Sequence, residues 1–147
     1  LIVEVPEVGL GEALGGGWTP RQVIAHLRDT EYLHYRLCLE RMLIEEAPRL
    51  RDFDTEAWEQ GRNVLRDEKG LLLADFALQR QASLSILRSL RPADWTRIGR
   101  SDAGHELTVL GHTTTWVAHD REHLAQLEEG LGETLNEVLA RRARLNQ

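Results

Sequence analysis

Trp18-Thr19-Pro20-Arg21-Gln22-Val23 is the stretch whose reading decides the fold. Thr19 is placed to cap a helix, Pro20 takes the first helical position, and Gln22 stands where a capping box needs its second partner. Trp18, one residue before the cap, can close on Val23 as a hydrophobic staple. A long helix therefore starts here, and Pro48 predicts its end near Glu46.

The same signals set out the rest of the chain. Leu72, Phe76, Gln79, Leu84 and Leu87 recur at helical spacing along one side of a helix from about Glu68 to Leu90, which Arg91-Pro92 ends. A third helix fits from near Thr108 to about Glu129. After the Gly130–Gly132 break, Thr134 and Glu137 repeat the capping-box spacing and predict a short last helix. Residues 48–66 read as polar and broken, with a turn or two of helix around Thr55–Gln60, and Ala93–Glu106 as a loop. Residues 1–17, ending in Gly15-Gly16-Gly17, read as an irregular lead-in to a single helical domain over 18–147. No segment alternates as a half-buried strand would. The sum is an all-α, antiparallel bundle with three or four long helices.

Composition bounds the function. The 147 residues suit one domain with its own core. A net charge of −6 argues against a nucleic-acid binder, which needs a basic face; Arg141, Arg142 and Arg144 read instead as complementing the carbonyl end of the last helix. No apolar run reaches the ~20 residues of a membrane span. The start has no basic, long-apolar leader and no Met, so it reads as a trimmed chain. Cys38, the single cysteine, permits no internal disulfide and points to a reducing, cytoplasmic setting. Mid-helix and without a basic partner in sequence, it reads as packing rather than as a nucleophile.

Of six histidines, His119 and His123 stand at i and i+4, so their rings leave one helix face a turn apart. Two imidazoles so placed can chelate one metal ion. His119-Asp120-Arg121-Glu122-His123 also has the form of the inverted zinc-peptidase pattern, but those enzymes need a larger scaffold. Val117, Leu124 and Leu127 mark an apolar stripe beside the pair. His26, between Val23, Leu27, Thr30 and Leu33 on the first helix's inward stripe, is the third ligand this geometry selects. His112 lies roughly 10 Å along the axis from His119, and His34 about 12 Å from His26, too far to share that ion. His105 falls in a loop. For these three, surface or supporting roles are expected.

Three spaced blocks make the chain resemble the DinB-like (DinB/YfiT) superfamily of metal-binding four-helix bundles. They are Trp18-Thr19-Pro20 running into Ala25-His26-Leu27-Arg28-Asp29-Thr30-Glu31; Pro92-Ala93-Asp94-Trp95 with the following loop to Leu110; and His119 through Leu127. The resemblance implies an up-down-down-up bundle, frequent homodimers and one divalent transition metal, zinc or nickel, on His26, His119 and His123. It also implies thiol-dependent transfer of the bacillithiol or mycothiol type, with a small-molecule thiol and an electrophilic substrate as partners, and neither nucleic acid nor membrane. Residues 1–17 depart from it, being too short and glycine-rich for a full first helix; either this lead-in packs irregularly or a partner subunit completes the bundle. Asp29, Glu31, Asp120 and Glu122 are candidates to orient a ligand histidine or move a proton. The alternatives are a metal-dependent hydrolase and a non-enzymatic, metal-stabilised dimeric stress-response or binding module.

Overall fold

A computed structural model describes residue 14, residues 17–132 and residues 135–145. The irregular lead-in and the Thr134 capping box fall, but for Leu14, Gly17 and part of the last helix, outside the described residues. Thr19 does cap the first helix: its hydroxyl accepts from the Gln22 N–H, and the Gln22 side chain accepts from the Thr19 N–H at 2.9 Å. From there α1 (Pro20–Thr30) passes through a π-helical turn (Glu31–Tyr35) into α2 (Arg36–Ile44). The π turn carries an extra residue, which rotates the face presented beyond it. Leu33, expected inward, is therefore 47% exposed, while Leu39 and Met42 are fully buried.

A short α3 (Thr55–Gly61), capped by Asp54, and a 3-10 turn (Val64–Asp67) interrupt the crossing to α4 (Lys69–Ser89), whose N-terminus Glu68 caps twice. A second 3-10 turn (Pro92–Thr96) leads into a feature the loop reading missed. β1 (Ile98–Arg100) and β2 (Glu106–Thr108) form an antiparallel hairpin with Gly99 opposite Leu107. Three residues a strand are too few for alternation to register. A Cβ on Gly99 would lie 2.6 Å from the Leu50 side chain, so glycine is what lets that leucine pack. α5 (Val109–Leu131) ends on Gly132 in the left-handed conformation, φ 64°, and α6 (Leu135–Leu145) follows.

Cross-helix contacts give the directions. Arg21 reaches the Asp67 carbonyl, Glu31 pairs with Arg80, and Met42 packs in the cluster that Ile86 and Leu90 border, so α1–α2 and α4 run parallel. His26 meets His119, whereas Tyr35 meets His112 and Trp116, so α5 runs the opposite way. A parallel pair followed by a reversed helix matches the last three members of an up-down-down-up bundle, and it explains the long crossing over 45–68.

Two apolar clusters form the core. Leu14, Val23, Ile24, Ala25, Leu27, Leu72 and Leu127 make one, with Trp18 and Trp58 packed against it. Tyr35, Cys38, Leu39, Met42, Leu50, Val109 and Trp116 make the other. Val23 lies one turn before His26 and Leu127 one turn after His123, while Trp116 lies one turn before His119. The clusters therefore flank the histidines on either side. Val117 and Leu124, read as core-facing, are 48% and 38% exposed, and only Leu127 of that stripe is buried. Among the described residues no helix is long and apolar enough to cross a membrane.

Candidate metal centre

His26, His119 and His123 come together between α1 and α5. One ring nitrogen from each lies within 4.8 Å of the others. Ring centroids are 5.1 Å apart for His26–His119, 4.9 Å for His26–His123 and 4.6 Å for His119–His123. The i,i+4 spacing on α5 brings its pair together, and α1, antiparallel to it, supplies the third ring from the facing side.

The outer nitrogens show which atoms face inward. His123 Nδ1 meets Gln126 Oε1 at 3.0 Å, and His119 Nδ1 meets Asp120 Oδ1 at 3.4 Å. An acceptor at Nδ1 holds the proton there and leaves Nε2 a lone pair. His26 Nε2 stands 3.0 Å from His119 Nε2, while its Nδ1 is buried with no partner among the described residues. A cation between the rings would take the Nε2 lone pairs of both, and this donor set, three converging imidazoles, suits a divalent transition metal.

Burial favours the neutral form of two of the rings, His26 and His123. Burial lowers the His26 pKa to about 3, with His123 and His119 adding to the fall. Burial likewise lowers His123. An aromatic shell closes around His26, with centroids of Trp18, Trp58 and Phe53 at 5.0, 5.1 and 5.6 Å. Trp18 also stacks on His123 at 6.1 Å.

The four candidate carboxylates separate. Asp29, buried, accepts from Trp58 Nε1 and Arg28 Nε at 2.7 Å each, so it sets the tryptophan over His26 rather than touching a histidine. Glu31 is 1% exposed and takes both nitrogens of an Arg80 fork at 2.8 and 2.9 Å. Asp120 bridges Arg80 and His119. Glu122 is exposed on α5 beside His123, where its charge, with that of Asp120, pulls the His123 pKa upward against burial.

The remaining histidines also find their places. His112, expected at the surface or in support, is a core residue, 3% exposed, with Nε2 donating to the Tyr35 carbonyl at 2.8 Å. His105 is exposed in the hairpin. Half-buried His34 has Nδ1 at 3.8 Å from Cys38 Sγ, a basic neighbour one turn away on the same helix that the sequence reading passed over. Burial still pushes the Cys38 thiol up to about 11, consistent with packing. The residues sequence reasoning missed are Trp18, Phe53, Trp58, Arg80 and Gln126. Arg80 had a signal, a charge set in the inward row of Phe76, Ser83 and Leu87; Gln126 had another, three residues beyond a ligand candidate.

Known proteins resemble the chain in sequence and in fold. The chain is 31% identical over 113 residues to a protein of Oceanobacillus iheyensis, and 28% identical over 130 residues to YfiT of Bacillus subtilis. Both names assign the relatives, provisionally, to the metal-dependent hydrolases. The alignments take in 76% and 78% of this chain, which spans 64% of the length of either relative. A solved structure of Bacillus subtilis YfiT, described as having an unusual four-helix bundle topology, superposes with a TM-score of 0.72. The match covers 90% of this chain and 79% of that one at 24% identity, and shows the shared fold. The DinB superfamily profile matches residues 4–127, and the chain belongs to that superfamily.

Proposed function

We propose that His26, His119 and His123 hold one divalent transition metal, zinc or nickel, and that the centre transfers a small-molecule thiol to an electrophilic substrate. The observation that carries the metal reading is the convergence of three imidazole nitrogens within 4.8 Å, two of the rings aimed by partners at Nδ1. A bound divalent ion would supply Lewis acidity, lowering the pKa of a coordinated thiol or water.

The chain's own residues bear on which nucleophile is served. Asp29, Glu31 and Asp120 each hold an arginine. No inward carboxylate among these is free to take a proton from water, as hydrolysis asks of a general base. A thiol, with a free pKa of about 8.5, needs far less help. Trp18, Phe53 and Trp58 exclude water from the His26 side and suit a weakly hydrated sulfur nucleophile.

Hydrolysis is the second reading, favoured by the names of the relatives. One assay separates the two. Metal-loaded protein is given electrophilic substrates and activated esters, with and without a low-molecular-weight thiol. Conjugation that needs both thiol and metal supports transfer. Ester turnover without thiol replaces it with hydrolysis. Silence in every assay, with metal bound and raising the melting temperature, leaves the metal-stabilised binding module. A cytoplasmic homodimer accompanies the proposal, and light scattering on the purified chain tests the dimer.

A further inference from the structure

We infer that Arg80 is a positioning residue of the metal centre, holding His119 in register through Asp120; this rests on the metal reading above. Arg80 comes from α4, which supplies no ligand, yet its guanidinium joins the two ligand-bearing helices. Nε and Nη2 donate to Glu31 on α1's continuation at 2.9 and 2.8 Å, and Nη2 also donates to Asp120 Oδ2 on α5 at 2.5 Å. The other Asp120 oxygen, Oδ1, faces His119 Nδ1. One carboxylate is thus divided between an arginine and a ligand ring.

The physical need for the clamp lies in Asp120's exposure. At 24% side-chain exposure that carboxylate has water to turn towards. Arg80 fixes one oxygen and so fixes where the other points, which sets the His119 tautomer and ring plane. Glu31, at 1% exposure, is the anchor: a carboxylate so buried needs a partner for both oxygens, and the fork's planarity gives the arginine one orientation. The rings of Phe76 and Trp116, 5.2 and 5.9 Å from the guanidinium carbon, hold it further. Lysine would keep the charge, but a single ammonium cannot reproduce the fork on Glu31 and reach Asp120 together.

The test is zinc affinity of the full chain, by competition with a chromogenic chelator, for wild type, Arg80→Lys, Asp120→Ala and the double variant. Asp120→Ala leaves the Arg80–Glu31 pair whole and serves as the variant least exposed to misfolding. Should Arg80→Lys not fold, Arg80→Gln with Glu31→Gln removes both buried charges and takes its place. We expect each single variant to lose at least about tenfold in affinity. The double variant should lose no more than Asp120→Ala alone, because both act through one contact. A merely structural arginine would lower the melting temperature of the metal-free protein and leave zinc affinity per folded molecule unchanged. That result, or losses that multiply in the double variant, overturns the inference. Wild type that binds no zinc or nickel fails earlier, at the metal reading itself.

Discussion

His26 has one ring nitrogen on His119 and the other, buried, on nothing, and that imbalance governs how the metal-free protein meets acid. Its pKa is about 6.5 in the unfolded chain and about 3 in the folded one. Between those values the unfolded state binds more protons, so stability is complete above pH 6.5 and drains as pH falls towards 3. Urea melts of metal-free protein at pH 7 and pH 5 should show a larger loss for wild type than for His26→Asn. Equal losses would mean that His26 is not held neutral by the fold. The triad was legible in the sequence because its two constraints are local, i,i+4 spacing on α5 and an apolar stripe on α1. Arg80, Phe53 and Trp58 were not, because their roles depend on which helix face meets which, and that is set by tertiary packing. His112 misled for a related reason: the carbonyl of Tyr35, at the end of the π turn, accepts from it, and no spacing rule encodes such a partner.

The π turn is the element that most separates sequence from structure. Regular 3.6-residue periodicity carried along α1 places Leu33 inward, whereas the turn leaves Leu33 half-exposed and Leu39 sealed. Leu39→Ala should therefore cost about 2–5 kcal/mol, and Leu33→Ala less than about 1 kcal/mol; denaturant melts of the two variants check the difference. A reversed order would show the helix regular through Glu31–Tyr35. Beside the centre, the crossing over 45–68 is fastened where Trp58 donates to Asp29 and Arg62 lies over its indole at 5.8 Å. Trp58→Phe keeps the ring but strips the buried Asp29 of a donor. That should cost about 1–3 kcal/mol and speed proteolysis within Thr55–Gly61, read by the cleavage rate of folded protein. Caps and proline stops made the long helices legible to within a few residues. The hairpin was not, since three-residue strands show no period; the parallel packing of α1–α2 against α4 came only through the family resemblance, since helix direction leaves no mark in local sequence.

At the scale of the molecule, the histidines sit at the seam between two apolar clusters, one centred on Leu72 and Val23, the other on Leu39 and Trp116. An ion bound there would tie α1 to α5 across the seam, so metal occupancy and global stability are one quantity measured twice. Zinc or nickel should raise the melting temperature of wild type and leave His119→Ala unmoved. The central claim is tested most directly by the metal content of the purified protein, with His26→Ala and His119→Ala beside it. About one equivalent of a divalent transition metal in wild type, lost in both variants, is the predicted result. Metal-free wild type that gains no stability from added zinc or nickel would contradict it and reduce the three histidines to packing.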